Sequence, residues 1–254
     1  MSVQHIRFNF RVLAASAVLL LPVCTAQAAA PFYQDILDGE SKTIVTMGTS
    51  LTNLNYGYWG PLMTDWLKSK ATDPANVTVV NVSRSGNASS QAINTQLPNA
   101  KAANPDVVFI EFGINDAYVP YAIPVAQAKA NLNFIIDELE TQNPHVDIAL
   151  MTMNNTIGSG AGPRPNLDAY YENYRDVAQD RGLILIDHHL NWTELYTNAP
   201  ATWSSYIPDT VHPNLAGATN IILPQIQYDL QNVPEPTSLA LLALGSLCAL
   251  RRRR

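Results

Sequence analysis

Two kinds of hydrophobic pattern alternate along the chain. Short apolar runs, typical of buried strands, lie at 43–47, 76–82, 106–112, 146–153 and 183–186. Between and after them, apolar and helix-compatible spacing predicts helices at 56–70, 91–97, 124–140, 167–180 and 214–230, the last kinked by Pro224. Strands that alternate with helices predict an α/β domain, in which helices cover both faces of a parallel sheet.

The first 30 residues have the layout of a secretory signal peptide. Arg7 and Arg11 precede an apolar stretch at 12–23, and residues 26–28 read Ala-Gln-Ala, near which cleavage is expected. The apolar stretch is well short of the roughly 20 residues that a membrane span needs, which disfavours an N-terminal anchor. We therefore expect residues 1–30 to be removed by signal peptidase during export.

The other end of the chain combines Val233-Pro234-Glu235-Pro236, an apolar run at 239–250 and arginines at 251–254. A short apolar helix with a basic stop is consistent with transient membrane association. The order of these features resembles the PEP-CTERM sorting tail of Gram-negative bacteria, with a plain C-terminal anchor as the alternative. The resemblance implies that an exosortase removes residues 233–254, often in species that make exopolysaccharide. It places the protein outside the cell, at the surface or in the exopolysaccharide matrix.

The remaining residues, 31–232, number 202 and suit a single domain with a sizeable core. The two end segments hold six of the 15 Lys and Arg and one of the 21 Asp and Glu, which leaves nine basic and 20 acidic residues, a net charge of about −11. Such an acidic domain argues against nucleic acid or an anionic membrane as a partner. Both cysteines, Cys24 and Cys248, lie in the end segments, so the domain has neither a disulfide nor a thiolate nucleophile.

Polar residues follow three of the predicted strands at the point where each strand ends. Ser50, Gly86 and Asn115 each lie just past the carboxyl end of a strand. In open α/β sheets this edge is where ligands bind, so the three loops are expected to converge. Ser50 also precedes a helix, a position that suits a nucleophile because the free N–H groups there stabilise an anion.

A serine nucleophile needs a base, and histidine is suited to this role near neutral pH. His212 follows Asp209 by three residues, so the carboxylate can fold back to orient the imidazole. His188 and His189 follow the fifth strand and remain alternatives on position alone, whereas His145 precedes a strand at the opposite edge. Backbone N–H groups of Ser50 and Gly86 and the amide of Asn115 are the predicted oxyanion donors.

Four blocks of the sequence together resemble an SGNH hydrolase of the GDSL esterase/lipase group. They are Gly48-Thr49-Ser50-Leu51, Ser85-Gly86-Asn87, Gly113-Ile114-Asn115-Asp116 and Asp209-Thr210-Val211-His212. The resemblance implies a three-layer α/β/α sandwich of flavodoxin-like kind with a five-stranded parallel sheet in the order 2-1-3-4-5. It also implies Ser50 as nucleophile, His212 as base and Asp209 as its partner. The chain contains no Gly-x-Ser-x-Gly elbow, which argues against the other large α/β esterase group.

One residue departs from the family pattern: Thr49 stands where the family usually has aspartate. That aspartate is thought to order the active-site loop rather than to take part in the chemistry. Thr49 can still form hydrogen bonds, so we expect activity to survive, with loop rigidity and rate the properties that depend on this position.

The implied reaction is hydrolysis of carboxylic esters through an acyl-serine intermediate, with no cofactor and no metal, since no His/Cys/Asp/Glu cluster has ligand spacing. Aromatic residues near the site, which either bind substrate or pack the core, are Tyr56, Trp59, Trp203 and Tyr206. Export and the sorting tail favour an O-acetylated carbohydrate as substrate. A short-chain lipid esterase or lysophospholipase, acyl transfer to a sugar, and a non-catalytic glycan-binding surface protein are the alternatives.

Overall fold

The computed structural model describes residues 27–53 and 55–234. The predicted signal peptide, apart from residues 27–30, and the sorting tail from residue 235 onward lie outside the described residues. The strands are β1 (Gln27–Ala28), β2 (Lys42–Gly48), β3 (Val77–Asn81), β4 (Val107–Glu111), β5 (Asp147–Thr152), β6 (Ile184–Asp187) and β7 (Val233–Pro234).

The helices before β5 are α1 (Pro31–Leu37), α2 (Trp59–Lys70), α3 (Ser89–Thr95), α4 (Leu97–Ala102), α5 (Gly113–Asp116) and α6 (Val125–Gln142). Those after it are α7 (Gly158–Ala161), α8 (Leu167–Arg181), α9 (His188–Asn198), α10 (Pro200–Tyr206), α11 (Leu215–Gly217) and α12 (Leu223–Gln231). Short 3-10 turns lie at Pro74–Asn76 and Val119–Tyr121.

Strands β2 to β6 form one parallel sheet in the order β3-β2-β4-β5-β6. Counted along the chain, this is the predicted order 2-1-3-4-5, so the predicted architecture is confirmed. Because side chains alternate across a strand, β2 sends Ile44 to one face and Val45 and Met47 to the other. Helices α1, α2, α9, α10 and α12 cover the first face, and α3, α4, α6 and the second half of α8 cover the second.

The sequence pattern predicts no helix within residues 188–206, and the structure has two there. These are α9 and α10, which are held by tertiary packing: Trp192 and Trp203 are fully buried, and the Trp203 indole donates to Asn155 Oδ1 at 2.8 Å. Pro200 begins α10 at a position where a missing N–H has no cost. The predicted helix at 91–97 is likewise two helices, α3 and α4.

The last helical segment changes geometry where Pro224 was expected to kink it. A π-helical turn, Ala218–Ile222, separates α11 from α12 immediately before this proline. Proline has no N–H to donate and its ring clashes with the carbonyl one turn earlier, so the wider turn accommodates it without ending the helix.

The two ends of the described chain lie side by side. Gln27 pairs with Pro234 and Ala28 with Val233 in an antiparallel strand pair. Next to this pair, the backbone N–H of Phe32 donates to the carboxylate of Asp147 at 3.0 Å, and Asp147 is the first residue of β5. The chain ends therefore lie toward the amino edge of the sheet.

Candidate active site

An open cleft of about 380 Å³ lies at the carboxyl edge of the sheet. It is lined by Ser50, Gly86, Asn115, Tyr118, Tyr121, Ser159, Gly160, Pro163, Arg164, Asp209, Thr210, Val211 and His212. Its walls come from the loops after β2, β3 and β4, the segment around α7 and the loop before α11. Two grooves of about 500 Å³ lie elsewhere, but no serine, cysteine or histidine lines either of them. The smaller cleft is therefore the candidate active site because of the residues that line it, and not because of its size.

Ser50, His212 and Asp209 form a continuous hydrogen-bonded chain in this cleft. Ser50 Oγ lies 2.8 Å from His212 Nε2, and His212 Nδ1 lies 2.6 Å from Asp209 Oδ2. The other carboxylate oxygen, Oδ1, accepts from the backbone N–H groups of Val211 (3.0 Å) and His212 (2.7 Å). Partial burial acts to raise the pKa of Asp209, but these hydrogen bonds, together with the imidazole, lower it below its ordinary value. The carboxylate is thus ionised where it meets the imidazole.

The turn between Asp209 and His212 is backbone-strained and is held in place by the segment around α7. Thr210, a β-branched residue, has a φ of +69°, in the left-handed region. Its hydroxyl accepts from the backbone N–H of Gly160 at 3.0 Å. A side chain at position 160 would collide with the Thr210 carbonyl oxygen, so glycine is required for this approach. The α7 segment therefore fixes the loop that carries His212.

The loops after β3 and β4 bring Gly86 and Asn115 to the opposite wall. Gly86 has a φ of +78°, which glycine adopts without strain. Its carbonyl oxygen accepts from the Tyr121 hydroxyl at 2.6 Å, which fixes the orientation of this peptide. Asn115 is buried, and its side-chain amide donates to the Asn87 carbonyl at 2.8 Å. An amide nitrogen carries two hydrogens, so one hydrogen of Asn115 remains for a ligand in the cleft.

The turn that carries Ser50 rests on a buried carboxyl group at the end of β4. Glu111 Oε1 accepts from the Thr49 N–H (2.7 Å), the Thr49 hydroxyl (2.9 Å) and the Thr52 hydroxyl (2.7 Å). Burial raises the pKa of Glu111 to about 7, although the three hydrogen bonds act in the other direction. On the other side, the Gln96 side-chain amide accepts from the Gly48 N–H and donates to the Gly48 carbonyl, both at 2.9 Å. The residue that departs from the family pattern, Thr49, is therefore fully engaged in ordering the turn.

Asp116, the last residue of the Gly113-Ile114-Asn115-Asp116 block, points into the protein. Its carboxyl group accepts from the Ser89 N–H at 2.8 Å, and burial raises the pKa of Asp116 to about 7. Ser89 in turn accepts from the amide of buried Asn131 at 2.9 Å. Asp116 thus ties the loop after β4 to the start of α3, beside Gly86.

The sequence profile described as the GDSL-like Lipase/Acylhydrolase family matches residues 46–219, well over half of the chain. The chain belongs to this family. Membership makes it a carboxylic ester hydrolase, and the match spans every residue of the cleft described above. No curated protein matches the chain significantly.

Solved structures share the GDSL-like fold at low sequence identity. A candidate GDSL-like lipase from Parabacteroides merdae is 17% identical, with a TM-score of 0.62 over 76% of this chain and 96% of its own. An acetylxylan esterase from Geobacillus stearothermophilus is 23% identical, with a TM-score of 0.62 over 76% of this chain and 95% of its own.

The PEP-CTERM protein-sorting motif matches residues 232–254 and indicates export in a Gram-negative bacterium. This confirms the resemblance seen in the sequence of the tail. Across residues 27–53 and 55–234, no helix is both long and apolar enough to span a membrane. In the same ranges, no three His, Cys, Asp or Glu side chains are grouped so that they could hold a metal ion.

For four aromatic residues of this GDSL-like hydrolase the sequence left two alternatives, substrate contact and core packing, and the structure distinguishes between them. Tyr56 stacks on the His212 ring, with 4.4 Å between centroids and 27° between planes, and it stays partly exposed. Trp59 and Trp203 follow the core-packing alternative and are not substrate contacts, because both side chains are buried and donate to groups inside the protein. Tyr206 packs edge-on against Trp192 and does not line the cleft.

The two alternative bases lie away from Ser50. His188 is fully buried at the start of α9, without a hydrogen-bond partner among the described residues, and burial lowers its pKa to about 3. His189 lies 3.3 Å from Asp168 and 3.4 Å from Arg175. Neither histidine lines the cleft, which leaves His212 as the histidine in contact with the serine.

The cleft wall also contains side chains that were not predicted as site residues, and the largest of them are Tyr118, Tyr121 and Arg164. The tyrosines pack edge-to-face at 5.1 Å, and the Arg164 guanidinium lies over Tyr118 at 4.8 Å from the ring centroid. The tyrosines follow the Gly113–Asp116 block closely, and this nearness was the available signal. Arg164 lies in a Gly/Pro-rich segment whose composition indicates only a loop.

Proposed function

We propose that this protein is an exported serine esterase that removes acetyl groups from O-acetylated carbohydrate through an acetyl-serine intermediate. The observation that carries the proposal is the chain of hydrogen bonds from Ser50 through His212 to Asp209, at 2.8 and 2.6 Å. Binding alone would not require a hydroxyl, an imidazole and a carboxylate in this order, so the alternative of a non-catalytic glycan-binding protein leaves the arrangement unexplained.

In the first step, Ser50 Oγ attacks the ester carbonyl carbon while its proton passes to His212 Nε2. The carbonyl electron pair moves to the oxygen, and the negative charge is stabilised by the backbone N–H groups of Ser50 and Gly86 and by the Asn115 amide. A single donor of this kind lowers the barrier by roughly 2.7–4 kcal/mol. Asp209 fixes the imidazole tautomer and stabilises the imidazolium that forms.

Collapse of the intermediate breaks the bond to the sugar oxygen, which leaves with the proton from His212. Water then enters, gives a proton to His212 and attacks the acetyl-serine carbonyl. The second collapse releases acetate and returns the proton to Ser50. The reaction is a hydrolysis in which no electron acceptor or metal takes part.

The lining of the cleft supports a small acyl group and a polar leaving group. No leucine, isoleucine, methionine or phenylalanine is among the lining residues, whereas a fatty-acyl chain needs an apolar channel. Tyr118 and Tyr121 supply aromatic surface of the kind against which a sugar ring packs. The fold is shared with a neighbour whose name describes it as an acetylxylan esterase.

The expected export of the protein also supports a carbohydrate substrate. Signal peptidase is expected to remove residues 1–30 and an exosortase the sorting tail, which leaves the domain 31–232 at the cell surface, secreted, or within an exopolysaccharide matrix. An acetylated polysaccharide is available to an enzyme in each of these locations.

The test is labelling with a serine-reactive fluorophosphonate, followed by acetate release from p-nitrophenyl acetate, a panel of acetylated polysaccharides and fatty-acyl esters. The wild type should be labelled and should release acetate, and Ser50→Ala should do neither. Ser159→Ala is the matched control, since this cleft serine contacts Thr210 instead of a histidine. Absence of both labelling and hydrolysis in the wild type would overturn the esterase, and faster cleavage of fatty-acyl esters would move the substrate to lipids.

A further inference from the structure

Arg164 is a partly buried cation in the cleft wall that has no acidic partner among the residues the structure describes. Two other partly buried arginines, Arg175 and Arg181, each form ion pairs with two carboxylates. Within 27–53 and 55–234, Arg164 forms no ion pair, and its guanidinium donates to two neutral carbonyl oxygens. A sheltered charge is costly unless it is paired, so an unpaired guanidinium in a substrate cleft requires a reason.

Two hydrogen bonds and an aromatic contact hold the Arg164 guanidinium in place. Its Nε donates to the Ile114 carbonyl at 2.8 Å, its Nη1 donates to the Gly160 carbonyl at 3.0 Å, and its plane lies over the Tyr118 ring. A guanidinium has five N–H hydrogens, of which these bonds use two. Three hydrogens, including both on Nη2, have no acceptor among the described residues. The side chain is thus held rigid with donors to spare, next to the residue that precedes Asn115.

The remaining charges of the cleft leave this cation uncompensated. Asp209 is the sole carboxylate among the lining residues, and both of its oxygens are occupied by Val211 and His212. The domain as a whole is strongly acidic, so its general field repels anions. A local positive group in the cleft offsets this repulsion at one point.

We propose that Arg164 binds a carboxylate of the substrate, so that the natural substrate is an O-acetylated acidic carbohydrate built from uronic acid residues. This inference rests on the proposed esterase function and deepens it. The carboxylate of the sugar accepts from the free N–H groups of Arg164, a charge-assisted bond of the stronger kind. Because Arg164 and Asn115 share one wall, such a contact places the neighbouring acetyl ester beside Ser50.

The experiment compares two matched substrates, an O-acetylated methyl galacturonoside and the same compound with its carboxylate converted to a carboxamide. Acetate release gives kcat and KM for each. The wild type should prefer the carboxylate by at least tenfold in kcat/KM, mainly through KM. In Arg164→Gln this preference should fall by about 10- to 100-fold, in line with the strength of hydrogen bonds to charged groups.

Arg84→Gln is the matched control, because Arg84 is an exposed arginine two residues before Gly86 that does not line the cleft. It removes the same charge and should keep the preference. If Arg164→Gln lowers kcat/KM equally for both substrates, Arg164 only clamps the loop and the inference fails. If the wild type does not discriminate between the substrates, the inference fails as well.

Two further outcomes distinguish a failure of the esterase proposal from a failure of the carbohydrate assignment. A protein that is not labelled by fluorophosphonate and releases no acetate from either compound contradicts the esterase itself and not only the acidic substrate. A lysophospholipid also carries an anion. If the wild type cleaves it faster than the galacturonoside and Arg164→Gln abolishes that advantage, the anion bound is a phosphate and the carbohydrate assignment is overturned.

Discussion

Thr49→Val removes one hydroxyl from the base of the nucleophile turn and leaves the side-chain shape almost unchanged. Thr49 is completely buried, so no cavity and no new exposed surface complicate the comparison. The hydroxyl donates to Glu111 Oε1 at 2.9 Å and accepts from the Leu51 N–H at 3.1 Å. In the variant, Glu111 loses one of its three donors and the Leu51 N–H loses its acceptor.

The expected loss follows from these two contacts. A hydrogen bond to a charged group contributes about 1.5–3 kcal/mol, and a buried N–H left without an acceptor costs about 1–3 kcal/mol. Burial raises the pKa of Glu111 to about 7, so the carboxyl group is only partly charged near neutrality and the first value falls toward its lower end. We expect Thr49→Val to lower the free energy of unfolding by about 2–4 kcal/mol, and kcat by about tenfold or more because Ser50 is less well positioned.

Urea denaturation followed by tryptophan fluorescence measures the first quantity, and p-nitrophenyl acetate hydrolysis measures the second. Thr49→Ser keeps the hydroxyl and should retain most of both. Thr49→Asp, which restores the usual family residue, should be worse than valine because it places a second carboxylate against Glu111, and Glu111→Gln should rescue it. A loss below 0.5 kcal/mol together with a kcat within about twofold of wild type would refute the reasoning.

Three further predictions concern other contacts. Asp209→Asn should lower turnover by roughly 10²–10⁴-fold with the fold retained by circular dichroism. The backbone N–H groups of Val211 and His212 hold the side-chain oxygen Oδ1, so the amide NH2 group faces His212 Nδ1 and cannot accept a hydrogen bond from it in the productive tautomer. Unchanged turnover would remove Asp209 from the mechanism. Gly86→Ala should lower the free energy of unfolding, measured by denaturant titration, by about 1–2 kcal/mol. The cause is backbone strain at a φ of +78° and not a clash, since the atom nearest to the added Cβ is 3.7 Å away. An equally stable variant would contradict this. Burial lowers the pKa of His188 to about 3, so between pH 6.5 and 3 the unfolded chain binds a proton that the folded chain does not. The free energy of unfolding therefore falls as the pH drops through this range, by up to about 5 kcal/mol. His188→Leu should lack this part of the acid limb, and identical pH dependence of unfolding in both proteins would argue against it.

The sheet was predictable because its strands are short apolar runs closed by polar loops. The same regularity located Ser50, Gly86 and Asn115, since the carboxyl ends of parallel strands share one edge. Ser50 and His212 are 162 positions apart in the sequence, so no local pattern shows that they are in contact. Their contact was predicted from the spacing of Asp209 and His212 and from the family resemblance.

Other features depend on tertiary contacts that leave no periodic signal. Helix α10 exists because the Trp203 indole is buried against Asn155, whereas the same indole in isolation suggests a binding surface. Arg164 reaches the cleft only because the α7 segment folds against Thr210. In the sequence, Glu111 is a single polar residue at the end of an apolar strand. The neighbouring residues do not indicate that it supports the nucleophile turn.

The place where the chain leaves the domain after residue 232 determines how the molecule is oriented when its C-terminal end is attached to something else. The Gln231 side chain donates to the Tyr33 hydroxyl of α1 at 3.3 Å, and the adjacent Phe32 N–H donates to the first residue of β5, whereas Ser50 lies just past the last residue of β2 in the same parallel sheet. A tether at the tail therefore holds the domain from the side opposite its cleft. We therefore expect the cleft to face away from a surface to which the tail is attached, so that a bulky polymer reaches Ser50 before as well as after removal of the tail.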